Sequence, residues 1–200
     1  MSLNRLNGLV VILAVLLAGC SGMSVDVPES AYVPKRVELS SGGTSTLNYT
    51  PWYIHTFSIS GPKGSGIRGG GPNVMPMREN GRPSGGGKES CCTSYPREWQ
   101  PDLRVTVRWL VDKKQDGKSP ADWYKAENVQ IEPYPTGYTS GVWAIFLPGD
   151  RVKIVVGNPH ARDLARNAGP PAVTDPYLAQ GKADEEWNYK YPNGKVRGLR

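Results

Sequence analysis

Between positions 61 and 87 the chain holds ten glycines and four prolines. Glycine loses more backbone freedom on ordering than any other residue, and proline has no amide hydrogen to donate, so a stretch this rich in both builds neither helix nor regular sheet. It is predicted to be a long loop. Loops of this length without structure of their own are uncommon inside a domain and usually serve a function. The residues on either side must therefore supply the core.

Those flanking residues carry period-two patterns. Residues 53–59 are β-branched or aromatic at most positions, with Tyr53, Phe57 and Ile59 on one face, and Gly61-Pro62 stops the run. Residues 103–111 alternate cleanly: Val105, Val107, Trp109 and Val111 face one way, Arg104, Thr106 and Arg108 the other. Asp116-Gly117 predicts a turn, and residues 123–131 a further strand ended by Pro133 and Pro135. Residues 142–147 and 152–156, joined by Pro148-Gly149-Asp150-Arg151, predict a β-hairpin. With no helical periodicity between these runs, the expected fold is mainly β, an antiparallel sheet or small β-sandwich with a long glycine-rich loop. Beyond Asn158-Pro159, residues 161–167 are expected to form two helical turns and residues 177–189 a polar helix, followed by a frayed tail over the last dozen residues.

The first residues say where the domain is held. Arg5 precedes ten uninterrupted apolar residues, 9–18, a run too short to span a bilayer, which takes roughly 20. It ends in Leu17-Ala18-Gly19-Cys20, which resembles the lipobox of bacterial lipoproteins. Residues 1–19 are thus expected to be a signal peptide and Cys20 to carry covalent lipid. Buried acyl chains are worth about 0.8 kcal/mol per methylene, so the mature protein is expected to be anchored to its membrane rather than to span it. Ser21 stands where an inner-membrane retention aspartate would sit, which points to the periplasmic face of the outer membrane. Residues 20–47 are expected to be the lipidated N-terminus and a tether, 48–160 the β-rich domain, and 161–200 a helical or flexible tail.

The formal charge is +6, and the excess lies before Pro120. A basic face can meet nucleic acid, anionic lipid or an acidic protein, but an envelope address argues against nucleic acid. Catalysis has little to work with. The two histidines, His55 and His160, stand in no metal-ligand spacing, and the chain has no Gly-x-Ser-x-Gly elbow. Gly64-Ser65-Gly66-Ile67-Arg68-Gly69 matches a dinucleotide-binding fingerprint, but Gly70-Gly71-Pro72 cannot open the helix that would hold a pyrophosphate. No enzymatic activity, metal or cofactor is expected apart from the lipid on Cys20.

Cys91 and Cys92 are the only thiols left once Cys20 is lipidated. In an oxidising compartment they pair with each other, pair with another chain, or stay buried and reduced. A bond between neighbours must close across Cα atoms about 3.8 Å apart, below the usual range for a disulfide. Trp99, Trp109, Trp123 and Trp143 lie on or beside predicted strands and are expected to fill the core. An exposed Trp99 or Tyr95 would instead suit an interface anchor.

The order of lipobox, strand 53–59, glycine-rich loop, Cys91-Cys92, Pro96, Trp99, Pro101, the Val105-Thr106-Val107-Arg108-Trp109 strand and a late hairpin at Pro148-Gly149 resembles a family of bacterial lipoproteins classed as a domain of unknown function. The likeness covers about residues 48–160, and it departs at Asp102, where a glycine is expected. The resemblance implies an immunity protein of a type VI secretion phospholipase effector. Such a protein waits in the periplasm and neutralises an antibacterial lipase by binding it. The competing expectation is a structural or ligand-binding outer-membrane lipoprotein with no toxin partner. The resemblance brings no established binding residues. From its length and charge, the loop is expected to be the partner surface: Lys63, Arg68, Arg78, Arg82 and Lys88, with Met75 and Met77 as adaptable apolar contacts and Cys91-Cys92, Tyr95, Arg97 and Trp99 behind it.

Overall fold

The computed structural model describes residues 37–87, 89–137, 141–157 and 169–195. The signal peptide expected over residues 1–19, Cys20, Ser21, Lys88, His160 and the helical turns expected over 161–167 lie outside them. What is described is mainly β, as expected: a single sheet of eleven strands with one short helix near the C-terminus.

The strands are β1 (Leu39–Asn48), β2 (Tyr53–Ser60), β3 (Arg68–Gly71), β4 (Ser84–Gly85), β5 (Ser90–Pro96), β6 (Arg104–Asp112), β7 (Asp122–Gln130), β8 (Val142–Leu147), β9 (Arg151–Val156), β10 (Ala179–Gln180) and β11 (Lys182–Ala183). Their order is β10-β9-β8-β1-β5-β3-β2-β6-β7-β11, and β4 also pairs with β1. The sheet coils until its two edges almost meet. Ile131, just past β7, bridges Ile154 of β9, and residues 179–183 cross from one edge to the other, Ala179 against Val152 and Lys182 against Lys125. The result is a nearly closed barrel. Its pairs are antiparallel except β1 with β8, which runs parallel from Thr44↔Val142 to Asn48↔Phe146.

The alternation read in 103–111 points as predicted. Val105, Val107, Trp109 and Val111 turn inward, where Phe57, Ile59, Phe146 and Ile154 join them in the largest core cluster. Both faces of β8 are buried. Val142, Ala144 and Phe146 face the barrel interior, while Trp143, Ile145 and Leu147 join Leu47 and Tyr49 in a second cluster. Trp123 lies in a third, with Leu110 and Ala121 under Trp187 and Tyr191. Of the four tryptophans expected to fill the core, Trp109, Trp123 and Trp143 are buried, each in a different cluster, and Trp99 packs partly buried against the largest one.

Three expectations are corrected. The stretch 61–87 is not all loop, because it contributes β3 between β2 and β5, and β4 beside β1. The glycines of β3 make room for neighbours: a Cβ on Gly69 would overlap the Thr93 side chain, and one on Gly71 the ring of Phe57. The polar helix of 177–189 is confined to α1 (Glu185–Lys190), since residues 179–183 are drawn into the sheet edges. Residues just beyond α1 are held rather than frayed. The Trp123 indole donates to the carbonyl of Tyr191 (2.9 Å), and Asn193 accepts from the amide of Ala121 (3.1 Å). In addition, β1 lies within residues assigned to the tether, and from Leu39 onward these residues are part of the sheet.

Candidate functional site

The residues expected to form one surface separate into two groups at opposite ends of β3. Lys63 sits in the β2–β3 hairpin turn, which is closed by hydrogen bonds from Gly61 to Ile67 and from Ser65 to Pro62. Arg68 opens β3 opposite Ser60 and Ser94. Near this end Arg97 is exposed and pairs with Glu38 at 2.7 Å. Arg78 and Arg82 lie beyond the other end of β3, in a tight turn where the Arg78 amide donates to Arg82 (2.9 Å).

Two of the expected contact residues are turned toward the core, Tyr95 wholly and Trp99 in part. Tyr95 is 1% exposed and meets Tyr134 edge-to-face inside the barrel. Its place in β5 points it inward, which a proline-flanked sequence context did not reveal. Tyr134 itself donates to the carbonyl of Pro96 (2.6 Å), and burial pushes its hydroxyl pKa up. Trp99 is half-buried against the core and donates to the carbonyl of Ile131 (2.9 Å), which fixes the orientation of its ring.

Cys91 and Cys92 are bonded to each other across a cis peptide, and both are exposed. The ladder explains their place. Gly42 pairs with Thr93 and Thr44 with Ser90, so both cysteines stand opposite the single residue Gly43 and form a β-bulge. The side chain of Glu89 lies over Gly43, in the space a Cβ there would take. Next to the bulge, the hydroxyls of Thr44 and Thr93 are hydrogen-bonded to each other.

The clearest concavity lies at the Arg78 end. β3 and β5 share one ladder pair, Arg68 with Ser94, stay side by side through Gly69 and Thr93, and the cleft lies past the end of β3. Residues 72–75 form one wall, Arg78 and residues 84–87 line the other, and Thr46 lies between. The cleft measures about 410 Å³, within the range of ligand-sized clefts. Its walls are fixed to the barrel. Val74 exchanges two backbone hydrogen bonds with Ile54, and Met77 donates to Thr50 (2.8 Å). The Asn48 side chain donates to Met75 (2.9 Å), Ser84 Oγ to Pro76 (2.5 Å), and the Gly86 amide to Thr46 (2.8 Å). These anchors are what sequence reading missed: Asn48, Thr50 and Ser84 are buried polar residues with no motif to mark them.

The rim combines apolar and cationic groups. Met75 is 60% exposed and Met77 37%. Lys63, Arg68, Arg78 and Arg82 make no ion pair among the described residues, whereas Arg97, Arg108, Lys113, Lys125, Lys153, Lys182 and Lys190 each have an acid within 4 Å. Arg104, Lys114, Lys118, Arg151 and Lys195 likewise have no acid within 4 Å among the described residues, so what sets the glycine-rich segment apart is that its cations face a single acid, Glu79. Among the described residues, His, Cys, Asp and Glu form no group of three or more that could hold a metal.

A nearly closed single-sheet barrel, with a pinned, cation-rimmed cleft past the end of β3, defines the class of protein to which this chain belongs. Residues 47–154 match the family described as "Protein of unknown function (DUF3304)", and the chain belongs to that family. The match runs from the end of β1 into β9 and so takes in both walls of the cleft and Cys91-Cys92, but not Thr46 or Gly43. No curated protein and no solved structure matches the chain.

Proposed function

We propose that this protein is a lipid-anchored envelope protein that neutralises a type VI secretion phospholipase effector by binding it. The observation that carries this reading is the cleft. A glycine-rich segment longer than the sheet requires is held in one shape by backbone and side-chain hydrogen bonds, and it displays two methionines and unpaired arginines to solvent. Preorganisation of this kind lowers the ordering penalty of association. Methionines adapt to the contour of a partner, and unpaired cations steer an acidic one. Inhibition of this sort needs no chemistry from the inhibitor, only an interface of about 1,600 Å² with the enzyme. The lipobox sequence at Cys20 would hold the inhibitor at the membrane that the phospholipase attacks, raising its local concentration there.

The test is co-expression. The genes adjoining this one are read for a phospholipase effector, whose absence counts against the reading; one found there is directed to the periplasm with and without the full chain, and survivors are counted. Survival restored by the chain supports the reading, and equal killing in both arms ends it.

A further inference from the structure

The cleft between residues 72–75 and 84–87 has the features of a place where a strand is missing. Residues 72–75 continue the line of β3, but only every second peptide group is used. Val74 gives both its amide and its carbonyl to Ile54 on one side. In an extended chain the neighbouring peptide groups point the other way, and on that side the Met75 carbonyl accepts from Asn48. The amide and carbonyl of Asn73 and the amide of Met75 have no protein partner among the described residues, and Pro72, Asn73 and Met75 are exposed. Such groups are the template that an added strand uses.

The opposite wall suits the same visitor. At residues 85–87 three successive glycines present no side chain to the cleft, and a Cβ on Gly87 would meet nothing within 4 Å. A backbone can therefore approach closely. The charge on the rim selects the sign of what enters. Arg78 lines the cleft and Arg82 is one turn away, neither with an ion pair, while Glu79 is the only acid between residues 61 and 87. Met75 and Met77 add apolar contacts beside those cations.

We infer that the cleft takes an extended acidic segment of a protein partner, which pairs as a strand along residues 72–75 and places its carboxylates against Arg78 and Arg82. This deepens the proposed function and rests on it for the identity of the partner. The peptide specificity stands on the cleft alone.

The experiment uses the full chain in detergent and an array of extended octapeptides that alternate apolar residues with acidic, basic or amide side chains. Binding is read by fluorescence anisotropy. The acidic set is expected to bind, Arg78→Glu is expected to weaken it by about tenfold or more, and the Arg78→Glu, Arg82→Glu chain should favour the basic set. N-methylation of one alternate set of peptide amides should abolish binding while methylation of the other leaves it, because strand addition uses one edge of the peptide. No preference for acidic over basic peptides, or equal tolerance of both methylation patterns, would overturn the inference. Circular dichroism of the variants checks that they remain folded, and Lys118→Glu, exposed in the turn between β6 and β7, serves as the charge-matched control with binding unchanged. Acidic-peptide binding without protection in the co-expression test keeps the strand slot and ends the immunity reading. Protection without peptide binding does the reverse.

Discussion

Arg108 of β6 meets Asp184, 76 residues later, with Nε donating to the carboxylate at 2.9 Å, and this pair ties the C-terminal segment to the barrel wall. Asp184 is almost completely buried and does two further jobs. Its carboxylate accepts from the amide of Trp187 as the N-cap of α1, and its own amide donates to Trp123 at the edge of β7. The guanidinium of Arg108 also lies 5.0 Å from the ring centre of Trp187. Replacing Asp184 with Ala removes a cap worth about 1 kcal/mol and strands a half-buried cation. The expected loss is about 2 to 4 kcal/mol in chemical denaturation, and a double-mutant cycle with Arg108→Ala should show coupling of about 1 kcal/mol or more. Additive effects would mean the pair is incidental.

Gly181 stands where the crossing segment passes over the barrel seam, and its amide donates to the carbonyl of Asp150 at 2.7 Å. A Cβ there would overlap the Trp109 ring and approach that same carbonyl. Gly181→Ala is therefore expected to destabilise by about 1 to 3 kcal/mol, the usual range for overpacking. Trp109→Ala, which empties the middle of the core, should lose about 3 to 5 kcal/mol. A thermal melt of Gly181→Ala equal to that of the parent would show that the barrel is not closed this way.

How much of this was legible in the sequence depends on where each strand's partners come from. The 103–111 strand could be read because one face is apolar and the other wet. β1 could not: Leu39–Asn48 is Ser, Thr and Gly for most of its length, and its burial comes from β5 and β8 on its flanks rather than from its own side chains. β3 was hidden for the opposite reason. Its glycines look like a loop until Phe57 and Thr93 are seen filling the space above them. At the site, the cations and methionines were visible from composition. The division of the cations between two ends of β3 and the buried position of Tyr95 depended on pairing register, which no local pattern encodes.

The glycines of the segment are consequently not equivalent. Gly71→Ala pushes into Phe57 and should destabilise by about 1 to 3 kcal/mol. Gly87→Ala faces open space without a left-handed backbone angle and should be neutral or stabilising by up to about 1 kcal/mol, through loss of unfolded-state freedom. Equal melting shifts for the two variants would contradict the assignment of β3 to the sheet.

Lys153 of β9 is 7% exposed, with Asp175 at 2.7 Å and Glu132 at 3.0 Å. Burial works against its charge, but the hydrogen bonds to Asp175 and Glu132 outweigh burial and hold its pKa above the ordinary 10.5. A raised folded-state pKa means that the stabilisation is complete below the unfolded value and is lost as pH rises through the folded one. Denaturation midpoints between roughly pH 9 and 12 should fall for the parent chain and fall less steeply for Lys153→Met. Parallel curves would remove Lys153 from the account.

The central claim is that this protein inhibits by binding through the cleft. Its most direct test is a titration of a phospholipase effector found encoded next to this gene with the full chain, reading hydrolysis of phospholipid vesicles. Hydrolysis should fall to background near equimolar inhibitor, and the Arg78→Glu, Arg82→Glu chain should require about tenfold more. Hydrolysis that persists unchanged in the presence of excess full chain would contradict the account.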